Sequence, residues 1–283
     1  MQVLIIAFWV LELLAVLLYI KSCWPERTRK SFYVKLACSS IFMVYAIMLA
    51  VLIRYGINVS FAGSNAGELS AGANTFLEFY GGGLTDRVVH LVLAALAYGW
   101  IGDQFLSYAH VLELEPSKEV AESVTPEQMT GRKNASNALG ILSFFLGNIL
   151  YCVAFGRAMY GYEAGIHWWS VLFLLVPLLM YVLMAVRMDL GKRLVPAGFY
   201  FLSLGVMFAM SMTLGIQLWH IHKLFSACLM AGSVLFTFSD IALALETYGG
   251  EKFLKLGLRV TRQIAYFSSQ MLLATTILYF YTV

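Results

Sequence analysis

Stretches of about 20 mainly apolar residues recur along the whole chain, and that is the length a helix needs to cross a hydrocarbon core. They fall at roughly 2–20, 34–53, 88–109, 138–159, 168–188, 194–214, 224–246 and 261–282. Composition agrees with them. The chain is 60 % hydrophobic and 12 % charged, whereas about a quarter of a soluble chain is charged. No stretch remains for a soluble domain. The expected fold is all-α, a single polytopic membrane domain over residues 1–283 with eight transmembrane helices.

The first span has no basic leader and no small-residue cleavage site, and it carries Glu12. It reads as a retained helix. Cys23, Cys38, Cys152 and Cys228 have no CxxC spacing and read as free thiols. The small net charge of +3 does not point to nucleic acid; its distribution is what informs. Only Arg54, Arg87, Arg157 and Lys223 fall in even-numbered loops, and every other Lys and Arg falls in the odd ones. By the positive-inside rule the odd loops are cytoplasmic and both termini are not. An even number of spans requires the same arrangement. The expected location is a bacterial inner membrane or an organelle membrane such as the endoplasmic reticulum.

Two loops are long. Residues 54–87 are Gly-rich and expected outside; residues 110–137 are polar and acidic and expected inside. The Asn58-Val59-Ser60 sequon lies in the first, and such triplets are frequent by chance. His220-Ile221-His222 is a pair without a third ligand, which makes a metal site the weaker reading. No metal and no cofactor is expected.

Two aspartates interrupt apolar helices in near-matching settings, Trp100-Ile101-Gly102-Asp103-Gln104-Phe105-Leu106 and Thr237-Phe238-Ser239-Asp240-Ile241-Ala242-Leu243. An ionisable residue at membrane depth costs roughly 2.5–3.5 kcal/mol on insertion scales and marks a functional site by default. The aspartates occupy the third and seventh spans. The following spans also match, Phe144-Phe145-Leu146-Gly147-Asn148-Ile149-Leu150 against Tyr266-Phe267-Ser268-Ser269-Gln270-Met271-Leu272. These similarities outline a candidate parallel repeat of four plus four helices, with halves 1–159 and 168–283. Chance likeness between apolar helices competes with it. At about 1.5 Å per residue, both aspartates lie roughly 23 Å from the outer face, as a facing pair requires.

Two carboxyls sharing a low-dielectric site cannot both ionise cheaply. The expected state is one protonated acid beside one carboxylate, which is the arrangement acid–base hydrolysis uses. Asn148, Tyr181, Tyr266 and Gln270 lie within other spans and are candidates to orient the pair or a substrate oxygen; an interhelical hydrogen bond is the plainer role for each. Glu12 sits mid-span and must face protein or water. His110 follows Asp103 on a similar helix face. Lys35, Arg187 and Lys192 lie at the cytoplasmic interface, as ordinary positive-inside residues or as holders of a lipid phosphate. There is no Ser–His–Asp order, zinc motif or phosphate-binding Gly loop. Gly99-Trp100-Ile101-Gly102-Asp103 lacks the glycine spacing of intramembrane aspartyl proteases, and their Pro-Ala-Leu element is missing.

On Gly102-Asp103-Gln104-Phe105-Leu106 and Leu235-Phe236-Thr237-Phe238-Ser239-Asp240-Ile241-Ala242-Leu243-Ala244, the chain resembles the YhhN-type lysoplasmalogenase family of eight-span membrane proteins. The Phe144–Asn148 and Tyr266–Leu272 motifs support the resemblance. Two positions depart from the family pattern. Lys35-Leu36 stands where the family often has Lys-Pro-Leu, and Asn148 stands where it commonly has a histidine. The resemblance implies cleavage of the vinyl ether bond of a lysophospholipid, a lysoplasmalogen, to a fatty aldehyde and a glycerophospho-base. Asp103 and Asp240 would be the catalytic acid and base in either order, and Lys35, Asn148, Tyr181, Tyr266 and Gln270 would contact the substrate. The alternative is a proton-coupled transporter using the same buried acids, since parallel repeats and membrane-embedded carboxyls also describe carriers.

Overall fold

The computed structural model describes residues 2–22, 29–54, 83–114, 126–188, 190–249 and 256–280. These form α1 (Gln2–Ser22), α2 (Arg29–Arg54), α3 (Gly83–Leu114), α4 (Pro126–Gly161), α5 (Ser170–Arg187), α6 (Leu194–Leu218), α7 (Lys223–Tyr248) and α8 (Leu256–Thr275). A one-turn helix, α9 (Ile277–Phe280), follows α8, and a single 3₁₀ turn (Gly191–Arg193) leads into α6. There is no strand among the described residues.

Seven of these helices, α1 to α7, are long and apolar enough to cross a membrane, which makes this an integral membrane protein. The eighth expected span is a helix as well. Arg259, Arg262 and Gln263 make its first half too polar to pass on composition. The polar loop expected over 110–137 is shorter than read, because α3 reaches Leu114 and α4 begins at Pro126. The start of α4 has a local cause. Proline is favoured at the first helical position, where its missing N–H is no loss, and Glu127 in the first turn complements the helix dipole. The Gly-rich stretch 55–82 with its sequon, and Cys23, lie outside the described residues.

The longest shared seams run between α3 and α4 and between α7 and α8. α1 packs on α2 and α5 on α6, while α2 touches both α3 and α8, and α6 touches both α4 and α7. Small residues set the α3–α4 seam. A Cβ on Gly102 would fall 2.8 Å from the Phe144 ring, and one on Gly140 would fall 2.8 Å from Leu106. Lipid offers no hydrophobic drive for helices to associate, so close backbone approach of this kind supplies the contact instead. Helices α1 and α5 turn most of their side chains outward, whereas α6 and α7 are the most enclosed. Helix α5 continues unbroken through Pro177.

Candidate active site

Asp103 projects from α3 one residue beyond the Gly102 contact and is 3 % exposed. Lys35 of α2 approaches one carboxylate oxygen, with Nζ 2.6 Å from Oδ1, and Ser39 Oγ donates to the other, Oδ2, at 2.6 Å. Lys35 and Ser39 are four residues apart and share one helix face, so a single face of α2 serves both oxygens. The Lys35 ammonium, read from the sequence as an interfacial residue or a holder of lipid phosphate, is buried and paired with Asp103. The Tyr266 hydroxyl of α8 lies beside the same carboxylate and donates to the Gly99 carbonyl at 3.3 Å.

Asp240 on α7 is 4 % exposed. Its Oδ2 accepts a hydrogen bond from the Tyr200 hydroxyl of α6 at 2.5 Å. No cation among the described residues stands within ion-pair distance of it, although the charge of Arg262 reaches it. The two aspartates feel each other's charge, and Tyr266 lies in the field of both. They belong to one electrostatic site. Their settings differ: Asp103 has a buried ammonium against it, and Asp240 has a neutral phenol.

Around this pair several buried polar atoms have no hydrogen-bond partner. Both amide atoms of Asn148 and of Gln270 are in this state, as are the Tyr151 hydroxyl, the Thr237 hydroxyl and both carboxyl oxygens of Glu12. Asn148 faces the Tyr200 hydroxyl but stands outside hydrogen-bonding geometry. The Gln270 and Tyr266 tips converge over Gly99, where a Cβ would meet Gln270 Oε1 at 3.7 Å and the Tyr266 hydroxyl at 3.6 Å. Leaving one buried polar group unmatched costs about 1–3 kcal/mol, so a cluster of them calls for an explanation beyond packing. Glu12 is near enough to Asp103 and Cys38 for their charges to interact.

The other expected residues lie elsewhere. The Tyr181 hydroxyl donates to the Leu194 carbonyl at 3.1 Å, at the turn between α5 and α6. Arg187 is exposed and His110 is half-buried at the end of α3, while the Lys192 side chain lies outside the described residues. His222 immediately precedes α7 with its ring 6.3 Å from that of Tyr162, and burial holds its imidazole below the ordinary value. No group of three potential metal ligands occurs among the described residues. Ser39, Tyr200 and Arg262 were not singled out from the sequence. Equal depth offers one signal for Tyr200, which stands about as far from the start of α6 as Asp240 does from the end of α7. Tyr181 has a similar depth, and only the choice of neighbouring helix separates the two.

A bundle of membrane-length helices with two buried acids inside it defines a polytopic membrane protein. A family model described as the YhhN family matches residues 73–277, and the chain belongs to that family, the family of the lysoplasmalogenases. No curated protein and no solved structure matches the chain. Asp103, Asn148, Asp240, Tyr266 and Gln270 lie inside the matched segment. Glu12, Lys35 and Ser39, on α1 and α2, lie outside it.

Proposed function

We propose that this protein hydrolyses the vinyl ether bond of lysoplasmalogens, with Asp240 as general acid and Asp103 as the carboxylate that activates water. The observation that carries the assignment is the unequal pairing of the two aspartates. A buried ammonium lies 2.6 Å from Asp103, and this ion pair assigns it the role of carboxylate. Asp240 has the Tyr200 phenol against it and no cation in ion-pair contact among the described residues, so it is the one assigned the role of acid. Family membership supports lysoplasmalogenase-type activity.

The chemistry follows from these roles. Asp240 delivers its proton to the distal alkene carbon, and the electrons of the double bond form the new C–H bond. An oxocarbenium ion remains, stabilised by the Asp103 carboxylate. Water adds to the carbon bonded to the ether oxygen, now electron-deficient, and gives a proton to Asp103, leaving a hemiacetal. The hemiacetal then collapses: its hydroxyl proton returns to Asp240, and the departing glycerol oxygen takes the proton held by Asp103. Both aspartates end as they began, with an aldehyde and a glycerophospho-base released. Asn148 and Gln270 supply the amides that orient the ether oxygen and the water.

In this reading α8 also crosses the bilayer, the odd-numbered loops are cytoplasmic and both termini lie on the other side. The matched seams α3–α4 and α7–α8, and the reciprocal contacts of α2 with α8 and α6 with α4, support a four-plus-four repeat. The carrier alternative expects helices broken near mid-membrane; α5 runs continuously through its proline.

The test is aldehyde release from choline and ethanolamine lysoplasmalogens by the purified protein, beside Asp103→Asn and Asp240→Asn. Wild-type release that falls by about 10²-fold or more in each folded variant is expected, the usual scale for loss of a general acid or base. A folded Asp240→Asn protein with full activity would remove the assignment.

A further inference from the structure

Two arginines of α8 converge on one carboxylate of α7. Arg259 Nε lies 2.9 Å from one oxygen of Glu246 and Arg262 Nε lies 2.9 Å from the other. The Arg262 and Glu246 side chains are only 8 % and 9 % exposed. Among the described residues no second carboxylate stands within ion-pair distance of either guanidinium. Among the described residues two cations thus share one carboxylate, where an uncompensated charge is expensive. On its other edge, the Arg262 Nη atoms face the Gln263 amide. Turned to satisfy both groups, the amide places its oxygen 2.9 and 3.2 Å from them. That oxygen is a neutral acceptor and brings no compensating charge.

The cluster stands at a definite distance from the acid pair. Glu246 follows Asp240 by six residues on α7, about 9 Å along the axis at roughly 1.5 Å per residue. Arg262 reaches from Glu246 to where its charge acts on Asp240. In a glycerophospholipid, five covalent bonds separate the sn-1 ether oxygen from phosphorus. Such a linkage spans roughly 6 Å when extended, by the covalent geometry that gives a backbone about 3.5 Å for three bonds. An alkenyl ether held against Asp240 thus lets its phosphate cover roughly 6 of those ~9 Å, toward the side from which Arg262 acts on Asp240. Lys35, the other buried cation beside the pair, is already committed to Asp103.

We propose, given the lysoplasmalogenase reading above, that Arg262 is the phosphate-binding residue of the site. Its planar fork takes the phosphodiester of the lysolipid, and Glu246, steadied by Arg259, holds the guanidinium at the required height. Arg262 touches no reacting atom; it positions the ether by holding the phosphate. The protein consequently selects lysolipids with a phosphodiester over uncharged alkenyl ethers.

The experiment compares aldehyde release from an ethanolamine lysoplasmalogen and from 1-alkenylglycerol, which carries the same vinyl ether and no phosphate. Wild type is expected to prefer the phospholipid. Arg262→Gln is expected to lower kcat/KM for it about 10- to 100-fold more than for 1-alkenylglycerol, the span that loss of a charged hydrogen bond gives. The loss should appear mainly in KM, and Arg262→Lys should recover part of it. An equal fall on both substrates would make Arg262 a structural residue and overturn its assignment. Should Arg262→Gln fail to fold, competition on wild type decides: glycerophosphoethanolamine should inhibit and glycerol should not. Inhibition by inorganic phosphate as strong as by the diester would overturn the lipid assignment. No turnover of either substrate by folded wild type would overturn the hydrolase reading itself, whereas turnover of both without preference overturns only the role of Arg262.

Discussion

At the scale of single residues, the site depends on how a costly charge is neutralised. Asp103 is tolerated at membrane depth because Lys35 and Ser39 both address it from one face of α2. Removing one partner of a buried ion pair leaves the other uncompensated and costs about 3–5 kcal/mol, whereas removing both costs far less. Lys35→Met is expected to lower the apparent melting temperature of the detergent-purified protein. Adding Asp103→Asn in that background is expected to restore much of the loss, although activity stays absent. Equal melting of the single and double variants would show that the pair contributes nothing. Asp103 and Asp240 were legible in the sequence because an acid in an apolar helix is conspicuous. Ser39 and Tyr200 were not, because hydroxyls in membrane spans are common and most satisfy a carbonyl of their own helix, as Ser143 and Thr275 do.

At the scale of helices, placement of the acids follows from how closely neighbouring elements approach. Gly102 immediately precedes Asp103 and meets Phe144 and Gly140 across the α3–α4 seam, a Cβ there falling 3.1 Å from the Gly140 carbonyl oxygen. Gly102→Ala is expected to force the helices apart at a cost of about 1–3 kcal/mol, the usual range for overpacking. It should shift Asp103 away from Lys35 as well. The measurable outcome is a lower melting temperature together with reduced aldehyde release. Unchanged melting would show that the seam yields freely there. The sequence contained this seam only as a small residue in each matching motif. Nothing in those motifs distinguishes a glycine packed against a helix from one facing lipid.

At the scale of the whole molecule, the number of crossings and the side of the termini are one question. Seven crossings put the termini on opposite sides of the membrane, and eight put them on the same side. Tags at both ends are expected to be cut by protease added to the non-cytoplasmic face of sealed cells or vesicles. Protection of the C-terminal tag alone would mean that α8 lies along the protein without crossing. The polar first half of α8 is the reason that the question arises, and Arg259 and Arg262 both approach Glu246 of α7 there.

Hydropathy and charge distribution are local properties of a chain in lipid, so the sequence by itself determined that this protein is helical, membrane-embedded and built around two buried acids. The family could be read from the motifs around those acids for the same reason. Which groups meet the acids was decided only by the tertiary structure. Tyr200 and Tyr181 have comparable depth and comparable surroundings in sequence, yet one donates to Asp240 and the other to a turn carbonyl. Lys35 looks like any interfacial lysine until α2 is set against α3. Depth follows from counting residues along a helix, but pairing depends on how each helix is rotated and which helix lies next to it, and packing of the whole bundle sets both.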